Sequence, residues 1–327
     1  MIRTPVCDLL GIDVPIVQAA FGPLTSVQLS AAVSNARALG SLGAAARPLH
    51  QLEPEWRRMR ELTDRPFAIN HTTRPLDEEA FAASLRVQPA VISMALGDPG
   101  DRVARVHDAG IVFMQQVHTV VQAERAAALG VDVIIAQGAE AGGFCGTVGT
   151  LPLVPQVVDA VRPVPVLAAG GIADGRGLAA VLALGAQGVN IGTRFLAATE
   201  TTISASWQRA IIQAGSEDTV RADFVNVLLP TGAGGFATAP RTLHTPFVDE
   251  WLNQADQAAA HAEELRGQVL NAAATGTVHE LLPFTGQSAG LIHDVRPARD
   301  IIAQLLAEAT QALAAASRSL IGEPTQG

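Results

Sequence analysis

Eight short apolar runs, each trailed by an amphipathic helical run, fill roughly the first two hundred residues, and that alternation constrains the fold more than any other feature. The runs are Pro15–Ala20, Leu39–Ala44, Pro66–Asn70, Ala90–Leu96, Ile111–Val117, Val131–Ala136, Val164–Ala169 and Gly188–Phe195. Continuous stretches of Val, Ile and Leu are what parallel strands look like when helices cover them. The intervening helices are expected at Thr25–Asn35, Leu49–Leu62, Asp77–Val87, Gly100–Asp108 and Thr119–Leu129, with two more between the last three strands and an eighth at about Ile203–Ala214. Eight such units predict a closed α/β structure, a (β/α)8 TIM barrel. An open doubly wound sheet is the alternative, but the usual G-x-G-x-x-G fingerprint is missing after Ala20.

If the strands are buried, chemistry belongs to the loops at their carboxyl ends. The loop Gly170-Gly171-Ile172-Ala173-Asp174 leads into a helix for which Asp174 is a fitting N-cap. Two glycines allow close approach of the backbone to a ligand, and N–H groups at a helix start suit an anion. The next loop, Asn190-Ile191-Gly192-Thr193, adds backbone donors and a hydroxyl. In a barrel these two loops follow the seventh and eighth strands, the position most often used to grip phosphate. A phosphorylated cofactor or substrate is the expectation.

The chain has 327 residues, 48% hydrophobic and 16% charged, which suits a large covered core rather than disorder. A net charge of −9 with scattered basic residues argues against nucleic acid as a partner. There is no lysine, so a Schiff-base mechanism is excluded. Cys7 and Cys145 stand far apart in the sequence and form no disulfide framework, no His/Cys/Asp cluster has metal spacing, and no G-x-S-x-G elbow is present. With neither a signal-peptide design at the start nor an apolar run long enough to span a bilayer, a cytoplasmic protein with no membrane partner is expected.

Three regions follow from this reading: a barrel over residues 1–220, a Gly-, Pro- and Thr-rich lid or insertion over 221–295 with a helical run at Phe247–Ala273, and a closing helix at Pro297–Arg318 with a tail within 296–327. A segment of that length inside a compact protein is usually functional.

Taken together, the runs PIVQAAFG, AAVSNARALGSLGA, PFAIN, IIAQGAEAGGFCG, AAGGIADGRGLAAVLALGAQGVNIGTRF and GQSAGLI resemble the nitronate monooxygenase (2-nitropropane dioxygenase) family and its relatives, the FMN-dependent enoyl-acyl-carrier-protein reductases. The resemblance covers nearly the whole chain and implies noncovalent FMN at the barrel mouth. By position it places Ala20, Phe21 and Gly22 along the isoalloxazine ring, and Asn70 on a polar edge of it. Gln116 would face the ring or its ribityl chain, and Gln137, Gly142 and Gly143 the ribityl and ring region. Gly170, Gly171, Asn190, Ile191, Gly192 and Thr193 would hold the phosphate.

One position departs from the family. The AGG of the sixth loop is normally followed by a His that takes a proton from neutral nitroalkanes; here Phe144 stands there. A phenyl ring cannot accept a proton, and general bases contribute about two to four orders of magnitude. A nitronate, already an anion, needs no such base. His71, which adjoins Asn70, and His118 are the candidates to replace it, each with the plainer alternative of bonding a loop carbonyl. Gln287 in GQSAGLI is a candidate substrate contact, and Cys145 is read as filler. The implied activity is FMN-dependent oxidation of alkyl nitronates or similar small anions by O2. An NAD(P)H-dependent reductase of an activated double bond, or a flavin-binding protein with little turnover, is the alternative. The assembly is left open, a homodimer being one option.

Overall fold

The computed structural model describes residues 2–45, 47–73, 76–229 and 238–321. Residues 230–237, within the expected lid, and the tail beyond 321 lie outside them.

Eight parallel strands form the central sheet: β1 (Ile16–Gln18), β2 (Gly40–Gly43), β3 (Phe67–Thr72), β4 (Val91–Ala95), β5 (Val112–Val117), β6 (Val133–Gln137), β8 (Val166–Ala169) and β9 (Gly188–Ile191). A short strand β7 (Gly143–Cys145) belongs to a different sheet. Each of the eight falls on one of the apolar runs. β1 pairs with β9, and the parallel bridge Val17–Leu39 joins β1 to the β2 side, so the ring closes into the TIM barrel.

Alternation along the strands divides the barrel's contents. Inward-facing Val17, Leu39, Ala68, Val91, Met114 and Ile135 form an apolar plug, sealed at the amino ends of the strands by Val6, Cys7 and Leu10 of an unforeseen helix, Pro5–Leu10. Outward-facing residues such as Ile69, Ile92, Phe113 and Ile134 pack against the helices. Side-chain caps start those helices where the sequence places them: Ser26 accepts from the N–H of Leu29, Asp77 from Ala80, Thr119 from Gln122 and Asp174 from Gly177.

One helix assignment is corrected. The expected eighth helix forms at Ala205–Gln213, but it packs with the insertion, and Trp207 and Ile211 sit in a separate apolar cluster. The place beside the helices Gly175–Ala183 and Val27–Asn35 is taken instead by the closing helix, Ala298–Ile321. Gly175 makes this possible. A Cβ there would lie 2.3 Å from the N of Ala309 and 2.5 Å from the O of Leu305, and its own N–H donates to Glu308 Oε2 at 2.9 Å. The whole stretch between β9 and Ala298 is therefore an insertion between the eighth barrel strand and its helix.

Within that insertion β10 (Thr219–Arg221) and β11 (Ala239–Leu243) run antiparallel, and β11 also pairs with β7. β10 straddles residue 220, where the sequence reading sets the edge of the lid. The helical run expected at Phe247–Ala273 is three helices, Pro246–Trp251, Ala255–Ala260 and Ala262–Ala274. Phe224, Phe247, Leu265 and Leu282 give the insertion its own core, against which Phe144 and Phe284 pack.

Candidate active site

The same alternation that fills the barrel with apolar residues at one end makes it polar at the other. One step above Ala68, Val91, Met114 and Ile135 on the inward face stand Asn70, Ser93, Gln116 and Gln137. They border a cavity of about 300 Å³ at the carboxyl ends of the strands. Asn70 is paired in register with Ser93, and its Nδ2 donates to Ser93 Oγ at 2.9 Å and to Ser93 O at 3.3 Å. Among the described residues its Oδ1 has no donor, so this end is left as an acceptor.

On the opposite wall the two glycine loops lie side by side, because β8 and β9 are neighbours. Gly170 and Gly171 have φ of 95° and 73°, left-handed values that favour glycine. Among the described residues the N–H groups of Gly171, Gly192 and Thr193 find no acceptor, and all three residues border the cavity. The short helix Thr193–Leu196 is anchored from behind: buried Arg194 pairs with Asp294 at 2.9 Å and donates to its carbonyl at 3.1 Å. Thr193 Oγ accepts the N–H of Gly286 at 3.0 Å, which leaves its O–H available to donate.

The roof is the loop after β6. Glu140 accepts from the N–H and Oγ of Thr150 at 2.9 Å and so caps the helix Thr150–Val161, while its carbonyl accepts the N–H of Gln287. Arg241 Nε donates to Ala139 O at 2.9 Å and Arg221 to Gly146 O at 2.7 Å. Gly142 and Gly286 cross so tightly that a Cβ on either would stand 2.7 Å from the other's N. These ties fix β7, from which Phe144 faces Phe284 edge-on at 6.2 Å over the cavity. Trp207, Phe284 and Ser288 of the insertion complete the lining, with Trp207 Nε1 bonded to Thr285 Oγ at 3.1 Å. Sequence reasoning did not name these three, nor Ser93.

Of the residues singled out by sequence, Ala20, Phe21, Gly22, Asn70, Gln116, Gln137, Gly142, Gly143, Phe144, Gly170, Gly171, Asn190, Gly192 and Thr193 meet at this cavity. Three do not. Ile191 points outward into the helix layer, the parity opposite to Asn190. His71, next to Asn70, is turned outward for the same reason: it is 3% exposed, bonds Ser84 Oγ at 2.9 Å and stacks edge-on to Phe81. The geometric basis for His71 as a substitute base is thereby removed. Gln287 fixes the roof through its main chain, accepting from Ser216 Oγ at 2.7 Å, and Ser288 takes the place at the cavity expected for it. Burial raises the pKa of the Cys145 thiol, and its Sγ rests on Ala139 O and Ala239 O. No described residue lining the cavity carries an ionisable side chain. No metal-binding group of His, Cys, Asp or Glu occurs among the described residues, and none of their helices is long and apolar enough to cross a membrane.

His71 and His118 are both buried, and burial lowers each pKa from 6.5 to about 4. Above about pH 6.5 both are neutral folded or unfolded. Between 6.5 and about 4 the unfolded chain takes up a proton at each site that the fold refuses, so stability falls with pH by up to about 3 kcal/mol per residue. Urea midpoints are expected to drop between pH 7 and 4.5, and less so in His71→Gln, which keeps a polar group for Ser84 without titrating. Identical slopes for the two proteins would contradict this.

The chain belongs to the nitronate monooxygenase family, whose model matches residues 3–84 and 77–308. It is accordingly an enzyme, of an oxidoreductase family. It is 33% identical to (3aS,4S,5R,7aS)-5-hydroxy-7a-methyl-1-oxo-octahydro-1H-indene-4-carboxyl-CoA dehydrogenase of Mycobacterium tuberculosis, over 97% of this chain and 98% of that protein. It is 32% identical to a nitronate monooxygenase of Paraburkholderia phytofirmans, over 93% and 94% respectively. The structure of FabK from Thermotoga maritima matches with a TM-score of 0.89 at 32% identity, covering 97% of this chain and 99% of that one.

Proposed function

We propose that the protein is an FMN-dependent oxidoreductase that oxidises alkyl nitronates or a similar small anion with O2. The observation that carries this reading is the cavity's inventory: adjacent turns with unpaired N–H groups, a free amide acceptor opposite them, and no ionisable side chain among the described lining residues.

That donor set fits FMN. The N–H groups of Gly171, Gly192 and Thr193 suit its phosphate, and Asn70 Oδ1 suits an N–H on the ring. Gln116 and Gln137 supply further polar contacts, while Ala20, Phe21 and Gly22 offer an apolar flank. When bound, FMN supplies two-electron acceptance from the substrate and return of the electrons to O2. The chain's own part is to bind and orient. Phe144, Phe284 and Trp207 form an apolar wall that restricts water. Lacking a base on this wall, the site favours a substrate that arrives already deprotonated.

A second reading, reduction or dehydrogenation of an acyl thioester, is favoured by the same apolar wall and by the likeness to the dehydrogenase and to FabK. Anaerobic stopped-flow mixing of the FMN-loaded protein separates the two. Rapid loss of flavin absorbance with propyl-2-nitronate, and slow loss with NADH or NADPH, is expected. Rapid loss with a nicotinamide and none with the nitronate would overturn the nitronate reading in favour of the reductase.

A further inference from the structure

We propose that His118 is a positioning residue that fixes Gln137 so that its amide N–H₂ is presented to the flavin; the inference rests on the FMN reading above. Gln137 Oε1 lies 2.8 Å from His118 Nε2 and 3.1 Å from Gln116 Nε2. An amide oxygen accepts two hydrogen bonds, so this end of Gln137 is filled from behind, and the N–H₂ end is the one left for the cavity that Gln137 lines. His118 is itself held in place from two further sides. Its main-chain N–H donates to Gln122 Oε1 at 2.6 Å, and its ring lies under Gly146, where a Cβ would come within 2.7 Å of His118 Cβ. It is 4% exposed, and burial, with the charge of Arg221 adding to it, outweighs the hydrogen bonds to Gln137 and the Phe144 main chain that favour the cation. Burial keeps the imidazole neutral, with one N–H for two neighbouring acceptors, Gln137 Oε1 and the Phe144 main chain; that proton is placed here on Nε2, 2.8 Å from the amide oxygen.

The arrangement is complementary across the cavity. Asn70, its N–H₂ consumed by Ser93, presents an acceptor; Gln137, its oxygen consumed by His118 and Gln116, presents a donor. His118 therefore acts through Gln137, without touching substrate.

The first test uses the wild-type protein. Nitrogen NMR of histidine-labelled enzyme is expected to show His118 neutral at pH 7 with the proton on Nε2. A proton on Nδ1, directed to the Phe144 main chain instead, would overturn the proposal. The second test is FMN titration by fluorescence, with the flavin midpoint potential recorded alongside. His118→Leu is expected to weaken FMN binding about tenfold and lower the potential, and His118→Gln, which can still donate, to restore affinity to within about twofold. Gln137→Leu should reproduce the loss, and the double variant should lose no more than Gln137→Leu alone. Additive losses, or a His118→Leu protein with wild-type affinity and potential, would overturn the proposal. Failure of the wild-type protein to bind FMN would instead refute the cofactor reading on which it stands.

Discussion

Replacing Phe144 by His is expected to raise kcat/KM for a neutral nitroalkane such as nitroethane by about two to four orders of magnitude, with little change for the matching nitronate. Phe144 borders a cavity whose described lining offers no proton acceptor, and its backbone is fixed by pairing with Pro240 rather than by its ring. The ring's neighbour is Phe284, 6.2 Å away edge-on, and a smaller imidazole fits the same place without disturbing β7. A half-buried imidazole there would titrate near its ordinary value of about 6.5. The variant's rate on nitroethane should consequently rise with pH through that value, a dependence absent from the parent. A folded, FMN-loaded Phe144→His protein with no gain on nitroethane would show that the missing base is not what limits this site.

Gly171→Asp is expected to weaken FMN binding by about two to three orders of magnitude while leaving the fold intact. The position has φ 73°, where a non-glycine residue costs about 1–2 kcal/mol and Asp is among those that tolerate it. A Cβ there meets Glu140 Cβ at 3.5 Å, an ordinary contact, so sterics alone do not forbid the change. The new carboxylate would stand beside Glu140 and before the unpaired N–H groups, opposing a phosphate by up to about 4 kcal/mol at an effective dielectric near 20. Gly171→Ala shares the backbone strain without the charge and should lose about tenfold at most. Equal losses in the two variants, measured by fluorescence titration with melting curves as a check on folding, would remove the anion from the account.

Much of the fold was legible because its signals are local. Every barrel strand falls on one of the predominantly apolar runs, and the side-chain caps Ser26, Asp77, Thr119 and Asp174 mark where helices begin. The eighth helix is not legible in order, because Ala205–Gln213 comes first in the chain, whereas occupancy of the slot depends on the distant contact of Gly175 with Leu305 and Ala309. The three-residue strands β7 and β10 lie outside any apolar run and so carry no pattern to be read, and neither does their joint sheet with β11.

At the site, residues at strand ends or in glycine turns were readable, and the errors share a cause. Adjacency in sequence is not adjacency in space, because a strand turns successive side chains to opposite faces. Counting by two from Asn70 leads to Ala68 and Thr72 and sends His71 outward; counting from Asn190 sends Ile191 outward; counting back from Ala95 would have found Ser93. Trp207, Phe284 and Ser288 were beyond such counting, since the insertion reaches the cavity through packing between segments far apart in the chain.

The glycine turns are proposed to cup a phosphoryl group, and the most direct measurement of that is equilibrium titration of the flavin-free protein with FMN and with riboflavin, which differ by that group. FMN is expected to bind with one-to-one stoichiometry and at least about a hundredfold more tightly than riboflavin, in keeping with several charge-assisted hydrogen bonds. Equal affinity for the two, or binding of neither, would contradict it.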